Sequence, residues 1–310
     1  MLSTRMQTFV GKIYDWCWSI SPSPLAESSM EHSIIKHHLQ KALSPQFSDD
    51  EIHAFGFWVI PHCESLSEEV ALEELHDICE KLKRHIPIQY IFEAAFFGPL
   101  TLKVTPATLI PRPETEELCH LILQKKLVME QSNGQHLNGL DIGTGSGCIP
   151  MYLLHHCKEW NFTAVDISED ALDIAAENAF HTGVETRIQL QCSDVLTWTN
   201  LPNNIDLLVS NPPYVKWDEA PDMDERVLQH EPHLALFTPE NDPLIFYKKL
   251  AQLCQTSQTH RSTPLYLWLE INQYLATETL ACFAPFASAE VVQDLSNNPR
   301  FIYAVILPKG

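Results

Sequence analysis

Leu137-Asn-Gly-Leu-Asp141-Ile-Gly143-Thr-Gly145-Ser-Gly147-Cys-Ile-Pro-Met-Tyr-Leu-Leu-His-His156 runs from a short apolar strand, Leu137 to Ile142, through three alternate glycines into a helix beginning at Cys148. Pro150 falls in the first turn of that helix, where a missing N–H donor is tolerated. Glycines between a strand and a helix permit unusual φ values and let a ligand approach the backbone closely. The spacing is Gly-x-Gly-x-Gly. The dinucleotide fingerprint Gly-x-Gly-x-x-Gly is not met, because Cys148 stands in its last glycine's place.

Downstream the pattern repeats. Phe162 to Ile167 reads as a second strand, Arg187 to Cys192 as a third, Ile205 to Val209 as a fourth and Leu265 to Ile271 as a fifth. Two last strands are expected over 287 to 293 and 301 to 307. Ser168 to Thr182, capped by Ser168 with Leu172, Ala175 and Ala176 inward, and Leu244 to Cys254 read as helices. Strands alternating with helices imply an α/β fold with a doubly wound, mostly parallel, seven-stranded sheet.

Residues 1 to 88 have a different, helical character. Trp16 and Trp18 lie in an early apolar segment before a Ser/Pro-rich break at Ser19 to Pro24. Ile34, Ile35, Leu39, Ala42 and Leu43 recur at helical spacing, and Pro45 ends that element. Ser65 to Arg84 has a candidate cap in Ser67, acids in its first turn and bases in its last, and a stripe of Leu72, Leu75, Cys79 and Leu82. This is the pattern of a small helical recognition module. Residues 89 to 108, β-branched and aromatic around a Gly-Pro break, read as a linking β-hairpin, and 109 to 310 as the α/β domain.

With 310 residues the chain can bury a sizeable core. Twenty Lys and Arg against forty Asp and Glu give a formal charge of −20, which disfavours a nucleic-acid backbone as the main partner. A positively charged partner protein or a cationic cofactor is compatible with it. No basic-then-apolar leader and no membrane-length apolar run occur. Nine cysteines without a Cys-x-x-Cys pair suggest reduced thiols in a cytoplasm. No metal site is expected, either at His37-His38 or among Cys148, His155, His156 and Cys157.

The polar residues at the strand ends carry the chemistry, since ligands of open parallel sheets bind beyond the carboxyl ends of the strands. Asp166 can accept from both hydroxyls of a ribose, and Asp194 from an adenine amine. No Gly-Lys-Ser/Thr loop offers a phosphate site. An adenosine without phosphate over a glycine loop suggests S-adenosyl-L-methionine. After the fourth strand comes Ser210-Asn211-Pro212-Pro213-Tyr214. Two prolines remove two backbone donors and fix φ. The Asn211 side-chain oxygen and the Pro212 carbonyl can then accept the two hydrogens of a planar NH2 group, with Tyr214 stacking on its face. A plain turn is the simpler reading of the same residues. Arg112, pinned between Pro111 and Pro113, is open to two readings, a structural ion pair or a substrate guide.

Asp141-x-Gly-Thr-Gly-Ser-Gly147, Ala164-Val-Asp166-Ile-Ser and Asn211-Pro-Pro-Tyr214 together resemble class I methyltransferases acting on a planar nitrogen. Leu109-Ile-Pro-Arg-Pro-Glu-Thr-Glu116 and His230-Glu-Pro-His-Leu-Ala-Leu236 narrow the resemblance to the HemK/PrmC family, the glutamine methyltransferases of peptide chain release factors. It covers roughly residues 85 to 310; the N-terminal part is similar in architecture only. The resemblance implies that Asp141, Gly143, Thr144, Gly145, Ser146, Gly147, Asp166, Asp194, Val195 and Asn211 bind the cofactor. It implies that Asn211, Pro212, Pro213 and Tyr214 hold the glutamine of a Gly-Gly-Gln loop, with Asn211, Pro212 and Tyr214 catalytic and Arg112 and Phe97 further substrate contacts. A monomeric cytoplasmic enzyme whose partner is a release factor is expected. The chain departs from the family at Val195, where an aromatic is frequent, at Glu270-Ile-Asn272 in place of Glu-Ile-Gly, and at Thr256 to Pro264 in place of a Gly-Gly turn. Rival readings are a ribosomal-protein glutamine methyltransferase, an amino-methyltransferase of a DNA or rRNA base, and a non-catalytic protein on the same fold.

Overall fold

The computed structural model describes residues 30–286 and 288–309; the segments around Trp16, Trp18 and Ser19 to Pro24 lie outside the described residues. The chain divides into two units, Met1–Glu93 and Ala94–Gly310.

In the first unit, three helices pack on one another: α1 (His32–Leu43), α2 (Asp49–Glu64) and α3 (Glu68–Lys83). Ser48 and Glu51 form a reciprocal capping box that starts α2. Ser67 stands at the N-cap of α3, yet its side chain makes no capping bond. The apolar face of α3 also differs from the expected stripe. Leu72 is 41% exposed, and Ala71 and Ile78 join Leu75, Cys79 and Leu82 inside. Ile88–Ile91, β-branched and aromatic in composition, forms one helical turn after Pro87, which stands at its N-cap.

The second unit opens with an antiparallel hairpin, β1 (Ala94–Phe97) and β2 (Leu100–Lys103), turning at Gly98 with φ +54°. Helices α4 (Pro113–Gln124) and α5 (Lys126–Asn133) lead into β3 (Asn138–Ile142). Then follow α6 (Cys148–His156), β4 (Asn161–Asp166), α7 (Glu169–His181), β5 (Ile188–Cys192) and β6 (Leu207–Ser210). Last come α8 (Ile245–Ser257), β7 (Leu265–Glu270), α9 (Ala276–Cys282), β8 (Glu290–Gln293) and β9 (Pro299–Ile306). The sheet order is β5-β4-β3-β6-β7-β9-β8. The first five strands run parallel, and β9 pairs antiparallel with both β7 and β8.

Alternate side chains enter the two faces of the sheet. Leu207 and Val209 of β6 join one apolar cluster with Leu118 of α4 and Met151 of α6, while Leu208 joins the other with Leu250 and Cys254 of α8. Ser168 caps α7 by accepting from the Ala171 N–H. On α7 Leu172 and Ala175 are buried as expected, but Ala176 is exposed, and Ala171, Ile174 and Asn178 complete the inner face. Buried Asn178 ties three parts together: its amide bonds the Lys103 N–H at 2.6 Å, the Lys103 carbonyl at 2.9 Å and the Ser146 carbonyl at 2.8 Å. Among the described residues no helix is long and apolar enough to cross a membrane, and no cluster of His, Cys, Asp or Glu is arranged to hold a metal.

Candidate active site

The strand order reverses at β3, with β4 and β5 on one side and β6 and β7 on the other. At such a switch point the connections leave in opposite directions and open a crevice. Here the crevice is a cavity of about 740 Å³.

Its floor is the glycine loop. Gly143, Gly145 and Gly147 have φ of +74°, +54° and +78°, a region that L side chains rarely adopt. A Cβ on Gly143 would stand 3.9 Å from the Asn211 carbonyl, and one on Gly145 would occupy open space. The loop's amides are engaged internally. Gly143 and Thr144 donate to the Val165 carbonyl, Gly147 to the Thr144 carbonyl, and Gly145 to Asp166 Oδ2 at 2.8 Å. Four of the loop's amides are thus already bonded within the protein.

Asp166 is held from both sides, since its Oδ1 also accepts from the Ser168 N–H at 3.0 Å. Asp194 uses Oδ1 on the Leu196 N–H at 2.9 Å, which opens the turn Val195–Thr197. Both aspartates and Val195 line the cavity, as do Thr144 and Ser146. Asp141, behind the loop, is fully buried and accepts from the Thr144 hydroxyl at 2.6 Å. Its other oxygen, Oδ1, has no partner among the described residues. Burial pushes the Asp141 carboxyl up to about 7; the Thr144 bond opposes this and Asp166 adds to it. A cavity of this volume, a floor opened by Gly143 and Gly145, two aspartates with lone pairs to offer and an orphaned carboxylate oxygen beneath fit a cationic nucleoside.

Asn211 and Pro212 reach the cavity from β6. The β3–β6 register pairs Ile142 with Ser210, so Gly143 and Asn211 leave the sheet side by side. The Asn211 Nδ2 donates to Thr115 Oγ1 at 3.1 Å, and the Thr115 hydroxyl donates to Glu270 Oε2 at 2.7 Å. Among the described residues no hydrogen bond reaches Asn211 Oδ1 or the carbonyls of Asn211 and Pro212. Pro213 and Arg112 also line the cavity. Arg112 pairs with buried Glu231 at 2.7 Å, whose second oxygen accepts from the Ile110 N–H at 3.2 Å.

Two of the expected substrate contacts lie away from the cavity. Phe97 is 1% exposed and meets Tyr152 edge-on at 5.5 Å between ring centres, so it belongs to the core and does not line the cavity. Tyr214 does not line it either. Its ring packs on the cluster around Leu250, Leu267 and Ile271, and burial, with Glu270 near, raises its hydroxyl's pKa. The aromatic wall comes from Trp217 and Phe237, stacked at 4.0 Å, and from Phe246. No periodic signal marks Trp217 and Phe237, which a parallel bridge between Val215 and Phe237 brings together. Thr115 and Glu270 did leave a signal, an acid closing an otherwise apolar strand and a hydroxyl in the first turn of α4.

Residues 121–234 match the family model of the methyltransferase small domain. A release factor glutamine methyltransferase of Flavobacterium psychrophilum is 35% identical over 277 residues, 84% of this chain and 94% of the relative. That of Bacteroides thetaiotaomicron is 36% identical over 234 residues, 74% of this chain and 80% of the relative. Among solved structures, the hMettl16 catalytic domain in complex with a 3′UTR hairpin matches with a TM-score of 0.50 at 16% identity, over 69% of this chain and 77% of that one, a likeness of fold.

Proposed function

The chain belongs to the release factor glutamine methyltransferase family, and on that premise we propose that it methylates the side-chain amide nitrogen of the glutamine in the Gly-Gly-Gln loop of a peptide chain release factor. S-adenosyl-L-methionine supplies the methyl group as a sulfonium electrophile. Gly143 to Gly147, Asp166, Asp194 and Val195 hold this cofactor, Asp166 at the ribose and Asp194 at the adenine. Asp141 answers its positive charge from beneath the loop.

The glutamine amide is a weak nucleophile because its lone pair is delocalised into the carbonyl. Asn211 Oδ1 and the Pro212 carbonyl accept its two N–H bonds and aim the nitrogen. Bound beside them, the cofactor would supply an electrophilic methyl group to that nitrogen and depart as a neutral thioether, and one N–H proton would leave to water. Acceptors placed where positive charge develops stabilise it without rearranging, and the fixed geometry replaces a bimolecular search. The observation that carries this reading is a pair of acceptors without partners among the described residues, Asn211 Oδ1 and the Pro212 carbonyl, beside the glycine floor.

Residues 1–88 dock the release factor. The enzyme acts as a monomer in the cytoplasm, and its charge of −20 disfavours nucleic acid as the substrate. The test is labelled S-adenosylmethionine offered with release factor, ribosomal proteins and nucleic acid in parallel. Label on the Gly-Gly-Gln glutamine, lost in Asn211→Ala while cofactor affinity stays within about tenfold, is the expected result. Label on a ribosomal protein or a base, or normal turnover by Asn211→Ala, would overturn it.

A further inference from the structure

We propose that Thr115 and Glu270 form a positioning relay that dictates which end of the Asn211 amide meets the substrate. The inference rests on the methyltransferase reading above and deepens it. An asparagine amide has two ends of nearly equal shape and opposite hydrogen-bonding sense. A substrate NH2 group needs the oxygen end, because a reversed amide would oppose NH2 with NH2. Nothing in Asn211 itself makes that choice.

The choice is made one residue behind it. Thr115 and Glu270 are 3% and 2% exposed, so water does not compete for their bonds. A hydroxyl has one proton. That of Thr115 goes to Glu270 Oε2 at 2.7 Å, leaving Thr115 Oγ1 able only to accept from Asn211, at 3.1 Å. Asn211 must therefore turn its nitrogen inward and its oxygen toward the cavity. Three elements build the relay: α4 supplies Thr115, β6 leads directly into Asn211, and its neighbour β7, in register with it at Ser210 and Leu269, ends in Glu270.

The relay depends on an ionised Glu270. A neutral carboxyl can donate to Thr115, which then can donate to Asn211 Oδ1 and reverse the amide. Burial pushes the Glu270 carboxyl up to about 7, opposed by the Thr115 bond, raised further by Glu114 and opposed by Arg300 and Arg112. Tyr214, Cys119, Cys148 and Tyr247, whose hydroxyl donates to the Glu270 carbonyl at 3.0 Å, also adjoin this acid.

The test compares Thr115→Val, which keeps shape and loses the hydroxyl, with Thr115→Ser, which keeps the hydroxyl. Expected for Thr115→Val is a kcat lower by roughly 10²-fold, the scale seen when one preorganised polar group is removed from a transition state. Release factor KM and cofactor Kd stay within about threefold, and Thr115→Ser restores the rate. In protein selectively ¹⁵N-labelled at asparagine, the Asn211 side-chain amide should exchange slowly in the wild type and fast in Thr115→Val. The wild-type kcat should show an acid limb that Glu270→Gln lacks, a readout that survives if Thr115→Val fails to fold. Thr115→Val turning over like the wild type, Thr115→Ser as slow as Thr115→Val, or an unchanged acid limb in Glu270→Gln would overturn the relay. A wild-type enzyme that methylates no glutamine would instead overturn the functional reading.

Discussion

Replacing Asp166 by Asn keeps the size of the side chain and removes its charge. Both carboxylate oxygens now receive a backbone N–H, from Gly145 at 2.8 Å and from Ser168 at 3.0 Å. An asparagine has one acceptor end, so one of these donors would face an NH2 group. If the Ser168 contact is kept, the glycine loop loses its anchor. If Gly145 is kept, the start of α7 is disturbed. In either orientation one hydrogen bond from a ribose hydroxyl to a charged acceptor is lost, which is worth about 1.5–3 kcal/mol. At about 1.4 kcal/mol per decade, cofactor affinity should fall roughly 10- to 150-fold. Titration calorimetry of wild type and Asp166→Asn with S-adenosylmethionine measures this directly, and a thermal melt of the free proteins separates loss of affinity from loss of fold. An affinity within about threefold of wild type, in a protein that melts normally, would remove Asp166 from the cofactor site.

Two further outcomes follow from burial and sterics. The folded Asp141 carboxyl is raised from its ordinary 3.8 to about 7, so its favourable contribution is complete below the ordinary value and is lost as pH rises through the folded one. The unfolding free energy of ligand-free wild type, compared with Asp141→Asn by urea titration, should therefore move against the wild type between about pH 4 and pH 7, by about 1.4 kcal/mol for each pH unit crossed; a constant difference across that range would refute it. Gly98→Ala should destabilise the hairpin, because a Cβ there would overlap the Tyr152 ring at Cε2, at a φ of +54°. Overpacking and left-handed strain together cost about 2–5 kcal/mol, and a melting point within a degree of wild type would contradict that.

The sheet and its strand ends were legible because each buried strand is a short apolar run that closes on a polar residue. Asp141, Asp166 and Glu270 stand at or next to the last residue of β3, β4 and β7 for that reason. Side-chain direction was much less legible. Phe96 and Phe97 are neighbours on β1, and the pleat sends them to opposite faces, so only contact with Tyr152 decides that Phe97 is core. Tyr214 adjoins the Asn-Pro-Pro segment in sequence, yet its ring joins the apolar cluster on the α8 side. The cavity's aromatic wall depends on a bridge between residues 215 and 237, a long-range pairing that no local pattern encodes. The departures from the family also acquire local reasons. Asn272 caps the turn Gln273–Leu275 by accepting from the Tyr274 N–H, and Thr256 to Pro264 continues α8 into a further helical turn at Gln258–His260.

The topology divides the work between two neighbouring strands. In the proposed function the cofactor floor hangs from β3 and the amide cradle from β6, and parallel partners in a sheet lie about 4.8 Å apart. Donor and acceptor are thus brought together by backbone hydrogen bonding, before any side chain contributes. On that proposal Asn211 would add aim to an encounter that the sheet already arranges, and the Pro212 carbonyl is a backbone acceptor that substitution of Asn211 leaves in place. The proton would leave after the bond forms, when the nitrogen has become acidic, so such a site needs acceptors and not a strong base. A buried hydroxyl and a buried acid behind Asn211 are then the natural place for the remaining control, because they fix the polarity of the one acceptor that is free to turn around.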